Sequence, residues 1–67
     1  MTVKQAAKGV VSNIGTRTYD IDFINSDGEV DETQFDAKGT EELSEIYSEF
    51  CKENGFKSNT VISITDV

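Results

Sequence analysis

Hydrophobic and polar residues alternate along "TRTYDIDFI". Tyr19, Ile21 and Phe23 fall on one side of the chain, and Thr18, Asp20 and Asp22 on the other. Period-two alternation rich in aromatic and β-branched residues predicts a strand with one buried face. The closing stretch "NTVISITDV" is rich in β-branched residues and predicts another strand. "KGVVSN", residues 8–13, reads as a further strand. It leads through the glycine-containing turn "NIGT" into the alternating segment.

The period changes in "GTEELSEIYSEFCKENGF". Leu43, Ile46, Tyr47, Phe50 and Cys51 recur at the i, i+3, i+4, i+7, i+8 spacing of a single helical face, with Phe50 central in the stripe. Thr40 is a suitable N-cap, and Glu41 and Glu42 lie where the helix dipole favours negative charge. Asn54 and Gly55 supply a stop, because glycine readily takes the left-handed conformation that ends helices. The helix is predicted over about residues 41–54.

"INSDGEVDETQF" admits two readings. At Asn25, Asp27, Gly28, Val30 and Asp31 it resembles EF-hand and dockerin-type calcium loops. The first ligand position, however, falls on Phe23 and the last on Gln34, and neither side chain supplies a carboxylate. The other reading is a β-hairpin tip, with Gly28 where a type I turn plus bulge needs a positive φ. Closing that turn at Asn25 and Glu29 pairs Ile24 with Val30, Phe23 with Asp31 and Asp22 with Glu32. Ile21 then faces Thr33, Asp20 faces Gln34, and Tyr19 faces Phe35. An apolar pair appears on each face of a register chosen only from the turn, which favours the hairpin. The calcium loop over residues 24–35 ranks well behind it.

The order strand, strand, strand, helix, strand predicts an α+β fold. It is a two-layer β-β-β-α-β sandwich in which a three-stranded antiparallel meander is joined through one helix to a C-terminal strand. A crossover through the helix returns the last strand parallel to the third. Placing it beside the first gives sheet order 3-2-1-4. One domain spans residues 1–67, with the helix on one sheet face and the other face open.

Charge changes the picture more than composition does. The net charge is -7, unevenly placed: Lys4, Lys8 and Arg17 give +3 before residue 19, and thirteen acids against Lys38, Lys52 and Lys57 give -10 after it. Nucleic-acid binding needs a basic surface that releases counterions, so direct binding to DNA or RNA is not expected. An acidic body is repelled by anionic lipid and attracted to basic protein surfaces. Two acidic surfaces stand out. One is the open sheet face, with Asp20, Asp22 and Glu32 beside Ile24 and Val30. The other is a helix stripe of Glu42, Glu45, Glu49 and Glu53, whose i,i+4 like charges are mildly destabilising and are offset only by Lys52 next to Glu49. The plain alternative is that the acid serves solubility alone.

The catalytic inventory is thin. There is no histidine, hence no Ser-His-Asp or Cys-His pair, and no glycine loop with the lysine of a phosphate cradle. The single cysteine, Cys51, falls on the apolar helix stripe and reads as a core thiol. A domain this small is also expected to have little room for a pocket. No enzymatic activity, metal or cofactor is expected. No signal peptide or membrane span is apparent, and a lone cysteine fits a reducing compartment, so a cytoplasmic location is expected. The expected function is a non-enzymatic acidic protein-interaction or regulatory module that docks on a basic protein surface. The alternative is a self-associating structural domain, a homodimer formed through the bare sheet face or an edge strand.

Overall fold

The computed structural model describes residues 1–67. It contains α1 (Val3–Ala6), β1 (Arg17–Ile24), β2 (Val30–Ala37), α2 (Thr40–Asn54) and β3 (Val61–Asp66). The α+β class holds. The three strands form one sheet in the order β2-β1-β3, with β1 antiparallel to both neighbours. β3 therefore runs in the same direction as β2, as the crossover through α2 requires.

The first predicted strand is absent. Residues 3–6 form α1, closed at its start by a capping box in which Gln5 N–H donates to Thr2 Oγ1 and Thr2 N–H donates to Gln5 Oε1. The amides of Val10 and Val11 both donate to the Ala7 carbonyl, and Gly9 takes a φ of +76°, so the chain turns where a strand was expected. The physical reason is visible in the spacing. Val3, Ala6, Ala7, Val10 and Val11 repeat the helical stripe i, i+3, i+4, i+7, i+8, and all five pack on the core. With that strand removed, the expected order 3-2-1-4 becomes the observed order. Lys8 is exposed and forms no ion pair.

The hairpin register is the one the turn dictates, from Tyr19 opposite Phe35 to Ile24 opposite Val30. The alternation of β1 follows: Tyr19, Ile21 and Phe23 are buried, while Asp20, Asp22 and Ile24 are half-buried on the opposite face. The inner residues meet Leu43, Tyr47 and Cys51 of α2 and Val61 and Ile64 of β3 in the core. Phe50 is the hub of the aromatic packing, with ring centroids 5.6 Å from Phe23, 5.4 Å from Phe35, 6.0 Å from Tyr47 and 5.7 Å from Phe56, and Phe23 also meets Tyr47 at 6.0 Å and Phe56 at 5.3 Å. Phe50 itself is half-buried at the rim of this cluster, while Leu43, Tyr47 and Cys51 carry the fully buried side of the helix stripe.

α2 ends as expected, at Gly55 with a φ of +72°. Its start differs. Gly39 occupies the N-cap position, Thr40 is the first helical residue, and no local side chain caps the helix. The Thr40 amide donates instead to Asn13 Oδ1 at 3.2 Å, from a loop 27 residues earlier in the chain. That loop is held in turn by buried Tyr19, whose hydroxyl accepts from the Ser12 amide at 3.0 Å.

Candidate acidic docking face

The candidate site is the outer face of the sheet, the side away from α2. Its geometry starts at the turn. Asn25 N–H donates to the Glu29 carbonyl at 2.8 Å, and Gly28 N–H donates to the Asn25 carbonyl at 3.0 Å, with Gly28 at a φ of +79°. Asn25 Oδ1 accepts from the amides of Asp27 and Glu29, at 2.9 and 3.0 Å. The oxygen that a calcium loop would need at its third position is thus occupied in building the turn, and the segment before it is a strand.

Because the turn sets the register, Asp22 lies directly opposite Glu32, and Asp20 lies one pleat further along the same face. One carboxylate oxygen from each of Asp20, Asp22 and Glu32 lies within 4.8 Å of the other two. β3 flanks them with Ser63 opposite Asp22 and Thr65 opposite Asp20. The Ser63 hydroxyl donates to Asp22 Oδ2 at 3.4 Å, whereas Asp20 Oδ1 is shielded from solvent and has no hydrogen-bond donor. The charge of the neighbouring Asp20 carboxylate raises Glu32 from its ordinary value. Asp22 and Asp31 add to the effect.

No basic side chain compensates this cluster. The two ion pairs of the chain are Lys4 with Glu41 at 2.9 Å and Arg17 with Asp66 at 2.8 Å. Three carboxylates could contribute to a cation site, but they are few for calcium, which takes about 6–8 oxygens. Toward the hairpin tip the same face turns apolar, where half-buried Ile24 pairs with exposed Val30. On the other side of β1, a register shift opposite Asp22 and Phe23 leaves Ile62 as an extra, exposed residue of β3.

The nine residues singled out from the sequence do not form one surface. Asp20, Asp22, Ile24, Val30 and Glu32 come together on the sheet face. Glu42, Glu45, Glu49 and Glu53 lie along the exposed side of α2, in the other layer of the sandwich. Part of that helix stripe has local partners. Glu42 Oε1 accepts from the Lys38 amide at 3.1 Å, and Glu45 adds to the field of Glu41 that raises Lys4. Lys52 forms no ion pair with Glu49. Ile62, Ser63 and Thr65 were not singled out beforehand. The alternation of "VISIT" places residues on two faces, but the bulge that redirects Ile62 has no local signal.

Two open grooves exist despite the small size, one between the hairpin tip and the α2–β3 loop and one between α2 and that loop. The larger, about 370 Å³, is lined by Ile24, Asn25, Ser26, Gly28 and the 55–60 loop with Lys57; the other, about 350 Å³, runs along α2 past Lys52. Cys51 borders the second groove but is buried, and burial pushes its thiol up, away from thiolate chemistry. No helix is long and apolar enough to cross a membrane. No protein-family model, curated protein or solved structure matches this chain.

Proposed function

We propose that this domain is a non-enzymatic interaction module whose outer sheet face docks on a basic surface of a partner protein. One observation carries the reading. Asp20, Asp22 and Glu32 crowd within 4.8 Å on a face with no layer over it, and none has a cationic partner in the chain. Like charges directly across a strand pair are destabilising, and a lysine or arginine brought by a partner removes that cost. The sheet face is favoured over the helix stripe because Glu42 and Glu45 already have neighbours that use or offset their charge.

The alternative, self-association, meets two obstacles. A two-fold pairing of sheet faces would bring two acidic clusters together. At the β3 edge, the Met1 nitrogen donates to the Val61 carbonyl at 2.9 Å and Val61 N–H donates to the Met1 carbonyl at 2.9 Å, so the start of that edge is occupied.

The test is an amide-shift titration with an arginine-rich peptide at 50 and 500 mM salt. The expected shifts centre on Asp20, Asp22, Glu32, Ser63 and Thr65, spare Glu49 and Glu53, and fade at high salt. Shifts that centre on the helix, or spread evenly over all acids, would overturn the assignment. A salt-insensitive dimer in sedimentation would favour self-association. Saturable calcium shifts at the three carboxylates would favour a metal.

A further inference from the structure

The acidic cluster is only half of the outer face, and its other half narrows the kind of partner. Ile24 and Val30 pair at the hairpin tip, where Val30 is 67% exposed, and Ile62, 41% exposed, stands at the bulge of β3 level with Asp22 and Phe23. They lie next to the carboxylates: Ile24 is two residues from Asp22 on β1, about 7 Å along the strand. Val30 stands at the same distance from Glu32 on β2. The backbone of this face is also closed. β1 is the central strand and pairs on both sides, so its N–H and C=O groups are used within the sheet. A ligand lying over β1 finds side chains only and cannot be recognised as an added strand.

Resting on the docking reading above, we infer that the occupant of this face is an amphipathic helix of a partner protein. Its contact face carries Arg or Lys over Asp20, Asp22 and Glu32, and a Leu, Ile or Val one helical turn away over Ile24 and Val30, with Ile62 at the flank. The spacing fits. Side chains at i and i+4 of a helix lie about 6 Å apart on one face, close to the separation between Asp22 and Ile24. Packing a helix on this face would also complete the layering, since α2 already covers the other side of the same sheet.

Two helical peptides of about 18 residues, five turns, test this. They have equal charge and composition. One has Arg and Leu on a single face, and its isomer has the Leu residues moved to the opposite face. Fluorescence anisotropy at 50 mM salt should show the single-faced peptide binding about tenfold tighter, the scale of burying one to two methylene groups. Val30→Ser and Ile62→Ser should remove that preference while leaving binding of the isomer unchanged. Both positions are exposed, and an unaltered amide spectrum checks that the variants fold. Equal affinity for the two peptides, or a preference that survives both substitutions, overturns this inference and leaves the electrostatic docking intact. Failure of both peptides to bind overturns the two together.

Discussion

The cap on α2 offers a quantitative test of how the chain is held together over distance. Gly39 is buried and extended, with a φ of 176° that any residue can adopt, so backbone strain does not enter. A Cβ built there would overlap Asn13 Oδ1. Asn13 must then swing away, and the Thr40 amide loses its acceptor. Losing a helix cap costs about 1 kcal/mol, while replacing glycine by alanine lowers the entropy of the unfolded chain and returns about 0.4–1 kcal/mol. Gly39→Ala alone should therefore cost between zero and about 0.6 kcal/mol, and Asn13→Ala alone about 1 kcal/mol. In the double variant there is no Asn13 side chain to displace, so Gly39→Ala should raise stability over Asn13→Ala, with a coupling of about 1 kcal/mol. Urea unfolding followed by circular dichroism resolves this, because a 67-residue domain has about 3–10 kcal/mol in total. Additivity of the two single changes would refute the long-range cap.

Phe23→Ala should cost about 3–5 kcal/mol and leave most of the protein unfolded, whereas Phe50→Ala, at a half-buried ring, should cost less although it removes the hub of the aromatic cluster; thermal melts that rank them the other way would show that ring packing outweighs burial there. Glu32→Gln should stabilise the fold more at pH 7 than at pH 4. Glu32 is raised in the folded state, so the stability its proton brings is complete below the ordinary glutamate value and is lost as pH rises through the raised one; an equal effect at both pH values in urea titrations would contradict the crowding. Gln34→Lys places a cation directly opposite Asp20 and should raise the thermal midpoint while abolishing capture of the arginine-rich peptide; undiminished capture would count against the face. Cys51 should react with a thiol reagent in the native state far more slowly than in urea, measured by absorbance; equal rates would deny its burial.

What was legible in the sequence depended on how local the cause was. The hairpin register follows from four residues, Asn25 to Gly28, and from a period of two that allows no slip without exposing Tyr19, Ile21 and Phe23. The end of α2 follows from Gly55 alone. The start of α2 was misread because its amide acceptor is Asn13, and nothing near Thr40 in sequence indicates it. The stretch 8–13 was misread for the opposite reason. The helical stripe from Val3 to Val11 was present in the sequence, but Gly9 and the adjacent valines resembled a short strand. At the candidate site, the acidic pairing of Asp22 with Glu32 was readable because it is set by the turn. The separation of the sheet carboxylates from the helix glutamates was not, since it depends on which layer each element occupies.

The placement of the six basic residues bears on why the sheet face is acidic. Lys4 and Arg17 are paired with Glu41 and Asp66, and Lys8, Lys38, Lys52 and Lys57 lie outside the strands. Yet the positions best placed to neutralise Asp20 are Gln34 and Thr65, directly opposite it on β2 and β3. Both are on an exposed or half-open face where a lysine stem fits without disturbing the core. The fold therefore permits neutralisation at two sites, and neither carries a cation. Solubility requires net charge but is indifferent to where that charge sits, so it accounts for thirteen acids and not for three of them crowded on one open face. Crowding that the fold does not require is what the proposed docking of a cationic partner would use, and exposed Val30 beside Ile24 would give such a partner an orientation.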